Sequence, residues 1–225
     1  IGFTLARTAR APSAEELYSD GAHAATQSYE RGNPNFEPET AVSTEAYAKL
    51  RSGDVHFSLT GFATWFNNFI YARDTGTIIG DAPVFQYQQG KARYYGAELE
   101  ASTPLAHIGG FTLASDVTAD FVRAQLTDGG GNVPRIPPMR VRGGLELSND
   151  LLTLRGEVER SFAQKHIAAF ETPTDAFTLI NASAEIKPFG RNAGITLILA
   201  ADNLLDVVGR RHASFTKDFV PLSGR

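Results

Sequence analysis

From Val55 to Tyr71 the chain reads VHFSLTGFATWFNNFIY. Val55, Phe57, Leu59, Gly61, Ala63, Trp65, Phe69 and Tyr71 share one parity. His56, Ser58, Thr60, Thr64 and Asn68 share the other, with Phe62, Phe66 and Ile70 as exceptions. Side chains alternate across a strand, so the pattern predicts a strand with one apolar and one mostly polar face. At about 17 residues it is roughly three times a typical globular strand. A tilted bilayer crossing needs about 9–11 residues, with aromatic side chains near the interfaces and strand continuing outside. Trp65, Phe69 and Tyr71, close to one end, fit an aromatic girdle.

The same period recurs along the chain. Ile1–Ala6 reads as the end of a strand. A non-periodic stretch then runs from about Arg7 to Glu39, with a short helix opened by Ser13 as N-cap and Glu16 three residues on. Thr40–Arg51 alternates and turns at Ser52-Gly53-Asp54 into the long strand. Asp74–Pro83 reads as a polar loop, Phe85–Ala101 as strand, and Pro104–Gly110 as a turn. Phe111–Ala124 alternates, and Thr127–Pro137 is a Gly-rich loop. Met139–Leu147, Leu152–Phe162, Phe177–Ile186 and Ile195–Ala201 are strands, joined near Ser148–Asp150, Gln164–Asp175 and Phe189–Gly194. Asp206–Arg225 is polar loop. About nine strand-like segments result, with long and short connections in alternation, as a transmembrane barrel demands. Phe57, Leu59, Trp65, Leu113, Val117, Phe121, Leu145, Leu197 and Leu199 are assigned to lipid. Glu98, Glu100, Asp116, Asp120, Arg140 and Arg142 are assigned to the lumen. A dry core would penalise such unpaired charge, and a wide wet lumen does not. A soluble sandwich with its charged faces in solvent is the alternative, and it would need unusually long strands.

Composition narrows the function classes. The chain has 225 residues, is 42% hydrophobic and 20% charged, and carries net charge −4, which argues against disorder and against nucleic acid as a partner. It has no cysteine, so disulfides and thiolate metal sites are excluded. No apolar run reaches the roughly 18 residues of a membrane helix. Both ends read as cut from a longer protein.

Several ordered motifs carry a family resemblance. They are Arg10–Tyr18 (RAPSAEELY), Gly32–Glu39 (GNPNFEPE), Phe66–Ile70 (FNNFI), Tyr95–Glu100 (YGAELE), Arg135–Pro138 (RIPP), Asp202–Asp206 (DNLLD) and the closing HASFTKDFVPLSGR. Together they resemble the barrel of TonB-dependent outer-membrane receptors over nearly the whole chain, with Phe36 in place of the usual Leu. The resemblance implies a bacterial outer-membrane location and an all-β fold. This segment would be the C-terminal part of a 22-stranded antiparallel transmembrane β-barrel, with long outer loops and short periplasmic turns. Residues 1–225 would form one partial barrel domain, roughly strands 13 to 21. The plug, through which TonB acts, would lie outside this segment, as would the last strand. The implied partners are outer-membrane lipid, TonB and a metal or metal-chelate ligand. The implied function is active import with no enzymatic activity and no resident cofactor. A siderophore receptor and a passive porin-like barrel are the alternatives.

Within that family, Gly21-Ala22-His23-Ala24-Ala25-Thr26 and His212-Ala213-Ser214-Phe215 most resemble the branch associated with zinc uptake. Imidazole and carboxylate suit zinc, and a transport site need not be a closed cage. The expected metal set is therefore His23, Asp20, Glu30 and His212. A pocket rich in aromatic residues and Arg would favour a ferric chelate instead. Glu98 and Glu100 share a strand face but lack a nucleophile, so they read as lumen wall. Gly129-Gly130-Gly131 lacks the Lys and following helix of a phosphate loop. Arg135, Arg140 and Arg142 read chiefly as counter-charges for lumen carboxylates.

Overall fold

The computed structural model describes residues 1–190 and 194–223. Its elements are β1 (Gly2–Arg10), α1 (Ala14–Tyr18), β2 (Asp20–His23), β3 (Ser28–Arg31), β4 (Glu39–Ser52), β5 (Val55–Ile79), β6 (Ala82–Ile108), β7 (Phe111–Leu126), β8 (Gly131–Asn132), β9 (Arg140–Ser148), β10 (Leu152–Ser161), β11 (Phe177–Ile186) and β12 (Leu197–Ala201). Nine of the strands form one continuous antiparallel path, β1-β4-β5-β6-β7-β9-β10-β11-β12. Each strand pairs with its neighbour in sequence or skips only a small excursion. This is an all-β antiparallel sheet of the kind that builds TonB-dependent barrels. No helix among the described residues is long and apolar enough to cross a membrane.

The pairing register tests the assignment of faces, because directly opposed residues in an antiparallel pair point the same way. Phe57 opposes Ala101, which opposes Val117. Leu113 opposes Leu147, Leu147 opposes Leu154, Leu154 opposes Ala184, and Ala184 opposes Leu199. All nine residues assigned to lipid therefore share one face. On the other face Glu98 opposes Asp120, which opposes Arg140, while Glu100 opposes Thr118, which opposes Arg142. The apolar face lies open: Leu59, Trp65, Leu145, Leu154, Val158, Leu197 and Leu199 are all exposed. Such a continuous apolar area is unfavourable in water and is what a strand wall presents to lipid. The ten residue steps from Val55 to Trp65 rise about 33 Å along the strand, or about 25 Å at a tilt near 40°, the height of a barrel's apolar band.

Ion pairs neutralise the charged face. Asp116 accepts two bonds from Arg155, at 2.5 and 3.0 Å, and Arg155 also reaches Glu157 at 3.2 Å. Arg140 lies 2.9 Å from Asp120, and Arg142 lies 3.7 Å from Glu157. The expectation that Arg140 and Arg142 balance lumen carboxylates holds.

Five local expectations change. The first strand runs on to Arg10 because Thr8, Ala9 and Arg10 pair with Ala41, Thr40 and Glu39. The polar stretch from Asp74 to Pro83 is not an open loop, and β5 and β6 continue through it to a tight turn. That turn uses the left-handed region at Gly80 (φ 56°) and Asp81 (φ 68°), which their small or polar side chains tolerate. Similarly, β6 runs through Pro104 to Ile108 across a register shift, and the turn shrinks to Gly109-Gly110. The last strand begins at Leu197, and the expected turn before it falls partly on residues 191–193, outside the described residues.

The fifth change bears most on function. Pairing passes from Phe66↔Ala92 to Phe69↔Gly90, so β5 carries one extra residue, and Asn68 takes φ 57°. A one-residue bulge swaps the faces of everything beyond it. Phe69 and Tyr71 therefore do not continue the outer girdle with Trp65. They turn inward beside Phe66 and Tyr94, with ring centroids 5.1 Å (Phe66–Phe69), 6.1 Å (Phe69–Tyr71) and 5.3 Å (Phe66–Tyr94) apart. This aromatic group packs on the buried cluster of Ala92, Ala124, Leu126, Val133 and Ile136.

Candidate ligand site in the outer loops

The first long connection is structured along most of its length. Ser13 caps α1 as expected: its hydroxyl accepts from Glu16 N, and Glu16 Oε2 accepts from Ser13 N at 2.7 Å. Arg10 then clamps the start of the connection to its end, donating to Glu16 at 2.8 Å and to Glu39 at 3.2 Å. The next residues, which show no period, fold as a hairpin of β2 and β3. The hairpin crosses to β6 and pairs in parallel with it, Tyr29 to Arg31 alongside Val84 to Gln86. That edge of β6 is free because β7 stops pairing at Ala92↔Leu126.

The hairpin sorts the expected metal residues. Gly21 opposes Glu30 and His23 opposes Ser28 on one face, whereas Asp20 opposes Arg31 on the other. His23 Nδ1 lies 3.0 Å from Glu30 Oε1. The same carboxylate accepts from Thr26 Oγ1 (2.8 Å) and Ser28 Oγ (3.3 Å), and its second oxygen accepts from the Tyr87 hydroxyl (3.2 Å). Burial alone would raise the Glu30 carboxyl, but the bonds from Thr26, His23 and Tyr87 outweigh it and hold it below the ordinary carboxylate value. Asp20 instead accepts from the Tyr29 hydroxyl at 3.0 Å. His212 is fully buried elsewhere, with Nδ1 3.0 Å from Thr174 Oγ1 and Nε2 3.1 Å from Glu171 Oε1. The latter contact is within ion-pair distance but outside hydrogen-bond alignment. Thus the structure joins His23 to Glu30 and sets Asp20 and His212 in other networks. Among the described residues no group of three His, Cys, Asp or Glu is placed to hold a metal ion.

Sequence reasoning missed a larger feature. A cavity of about 250 Å³ opens among the outer segments, lined by Thr26 and Gln27 of the hairpin, by Tyr71 and Arg73 of β5, and by Phe85 of β6. Asp74, Arg135, the loop from Ala168 to Thr172, Phe215, Lys217 and Asp218 also line it. Tyr71 and Arg73 reach it only because of the bulge at Asn68. The Arg135 guanidinium lies 3.9 Å from the centroid of the Phe215 ring, and Phe215 meets Phe85 edge-on at 6.3 Å. Burial lowers the pKa of Arg135, against the opposing charge of Glu171. Arg73 makes no ion pair among the described residues. The cavity therefore sets the cations Arg73, Arg135 and Lys217 among the carboxylates of Asp74, Glu171 and Asp218, beside flat aromatic surface. The only sequence signal for it was the pair Asn67-Asn68, a residue type that tolerates the left-handed conformation a bulge can require.

Solved structures share the fold. The copper transporter OprC superposes with a TM-score of 0.80 at 18% identity, over 98% of this chain and 34% of that one. The ferric enterobactin receptor PfeA from Pseudomonas aeruginosa gives 0.65 at 19% identity, over 94% and 34%. The siderophore receptor PirA from Acinetobacter baumannii gives 0.65 at 16% identity, over 99% and 38%. The chain spans about a third of the length of these structures. A family model described as "TonB dependent receptor-like, beta-barrel" matches residues 3–204. Such barrels belong to bacterial outer-membrane transporters, which are not enzymes. With nearly the whole chain matched and its strands paired in one open antiparallel path, this protein belongs to the TonB-dependent receptor β-barrel family.

Proposed function

We propose that this segment supplies wall and ligand-holding outer loops to an outer-membrane receptor that imports a metal chelate, with TonB providing energy through a plug. The observation that carries the reading is the cavity in which Arg73 and Arg135 stand beside Tyr71, Phe85 and Phe215. Guanidinium groups suit the carboxylate, catecholate or phosphate oxygens of an anionic chelate, and the rings suit its conjugated surface. The names of the structural neighbours, a copper transporter and receptors for ferric siderophores, support a metal-containing ligand. The double variant Arg73→Ala/Arg135→Ala of the full-length receptor should bind a ferric catecholate at least about ten-fold more weakly, since charge-assisted bonds are the strong ones. Titration calorimetry reads this directly, and unchanged affinity sinks the assignment.

A second reading, zinc as the imported ion, is favoured by the His23–Glu30 pair. A carboxylate 3.0 Å from Nδ1 calls for the proton on that nitrogen, which leaves the Nε2 lone pair free on a ring whose side chain is 53% exposed. Asp20 and His212 complete the zinc proposal only if the loops rearrange around the ion. Zinc titration of the full-length receptor and its His23→Ala variant decides this reading. Equal affinities remove His23 as a ligand.

A further inference from the structure

We propose that the outer stretch of β6 around Gln89 is a binding site for a short, uncharged, extended peptide, held by main-chain hydrogen bonds to the strand edge. The site lies beside the cavity described above and is independent of what that cavity binds.

The pairing leaves one gap along β6. On the side away from β5, β7 covers β6 as far as Ala92, and β3 covers it from Val84 to Gln86. Lys91 closes one end of the gap: its carbonyl accepts from Thr127 N at 2.8 Å, and its N–H donates to Asp128 Oδ2 at 2.7 Å. Tyr87 closes the other end, its carbonyl accepting from Gln86 Nε2 at 3.2 Å. Backbone groups alternate from side to side along a strand, so those of Gln89, midway between Tyr87 and Lys91, point into the same gap. The neighbouring strand agrees. Ile70 opposes Gln89 on β5, yet its N–H turns away to Glu39 Oε2 at 2.9 Å. No loop group among the described residues takes up the N–H or C=O of Gln89. An open N–H and C=O on one residue are what an added antiparallel strand uses, because a directly opposed residue exchanges two bonds with it.

The groove around the gap has matching chemistry. It holds about 470 Å³, within the roughly 300–1,000 Å³ usual for small-ligand sites, and is lined by Asn33, Asn35, Phe36 and the run from Gln86 to Gln89. None of these residues is charged. The Gln89 side chain is committed elsewhere: it accepts from Glu37 N at 3.2 Å and donates to Glu37 O at 2.7 Å and Asn68 O at 3.0 Å. Those bonds pin the strand and leave its backbone open. The flanking amides keep spare capacity. The Asn35 side chain has no partner among the described residues. Gln88 uses only Oε1, which accepts from the Tyr71 hydroxyl at 3.1 Å, and so keeps both Nε2 protons. Gln86 donates to Arg31 O and Gly32 O and keeps Oε1. Uncharged donors and acceptors on either side of an open main-chain pair suit successive peptide groups and give an anion no counter-charge. Gln89 lies four residues beyond Arg93, the partner of Trp65, on the loop side of the sheet, where a peptide from outside can reach it.

The test uses the full-length receptor in nanodiscs and the uncharged peptide acetyl-tetraserine methylamide, with saturation-transfer NMR as the readout. Gln89→Ala removes the side chain and keeps the N–H, so it should bind the peptide like wild type. Gln89→Pro removes the N–H as well and should bind about ten-fold more weakly. Proline is tolerated at this edge position because that N–H makes no ladder bond. Equal binding by the two variants overturns the proposal. A second measurement leaves the protein untouched: the same peptide N-methylated at every backbone amide should bind wild type about ten-fold more weakly, and equal affinity overturns the proposal. Displacement of the peptide by equimolar maltotetraose also overturns it, since that would mark a groove for hydroxyl groups. Joining the peptide to a ferric catecholate separates its two sources. Tighter binding than the free peptide assigns it to the imported ligand, and equal binding assigns the groove to free peptides. The Gln89→Pro loss must persist in both cases, and its absence overturns the site.

Discussion

Replacing Glu171 with alanine should free the last outer loop from the one before it. Glu171 Oε1 accepts from Arg135 N at 2.8 Å and from Lys217 Nζ at 3.3 Å, and Oε2 accepts from Ala168 N at 3.0 Å. Oε1 also faces His212 Nε2 at 3.1 Å. Lys217 also donates to Thr172 O at 2.8 Å. Both Glu171 and Lys217 are almost wholly buried, so removing the carboxylate strands an ammonium without its counter-charge. Breaking such a buried pair costs about 3–5 kcal/mol. Amide hydrogen exchange across residues 168–174 and 211–217 of the full-length receptor should accelerate by two to three orders of magnitude, on the order of that energy. Exchange in β9 and β10 should not change. Uniform acceleration, or none, would show that Glu171 does not hold these loops together.

The same group makes the clasp acid-sensitive in a defined window. Burial alone would raise the carboxyl, but His212, the N–H groups of Ala168 and Arg135 and the charge of Lys217 overcome this and hold it at about 2. A carboxyl with a depressed folded value stabilises the folded state above its unfolded value, near about 4.3 for Glu. That stabilisation disappears as pH falls from there toward about 2. The chain has no cysteine, so a fluorophore on Ala213→Cys reports loop release cleanly. Release should begin below about pH 4.3. It should be absent between pH 5 and 8.

The second large effect concerns the two faces of the sheet. Leu145→Arg puts a charge on the apolar face, where Leu145 is 55% exposed, and should destabilise the membrane-inserted receptor by about 2–4 kcal/mol if it lies near the bilayer midplane. Ser58→Arg places the same side chain on the charged face opposite Glu100, and it should change stability by less than about 1 kcal/mol. Urea unfolding of each full-length variant in lipid vesicles measures the difference. Equal losses would contradict the assignment of lipid and lumen faces.

Much of this architecture is legible in the chain because a barrel wall is a local pattern repeated. Period-two alternation of Phe57, Leu59 and Trp65, or of Val117 and Phe121, fixes which residues point together whatever the neighbouring strand is. Ser13 and Glu16 likewise mark α1 through contacts three residues apart. The candidate site was less legible. His23 and Glu30 do meet, because one hairpin brings them together. Asp20 sits in the same hairpin with the opposite parity, a fact hidden until the hairpin and its register are known. His212 reads from the sequence as a free loop ligand, yet it is enclosed by Glu171, Thr174 and Lys217, two of which lie some forty residues away.

What the sequence determined by itself was the all-β class, the nine strands of the main path, the division into apolar and charged faces below the bulge, and the family. Each of these is written in local alternation or in ordered motifs. Only the tertiary structure decided where that alternation breaks. One extra residue at Asn68 turns Phe69, Tyr71 and Arg73 inward. An unperiodic stretch becomes a hairpin because β6 offers it an unpaired edge. Phe215, Arg135 and Phe85 form one wall because distant loops pack over the same opening. Those outcomes depend on partners far away in the chain, and a local pattern carries no record of them.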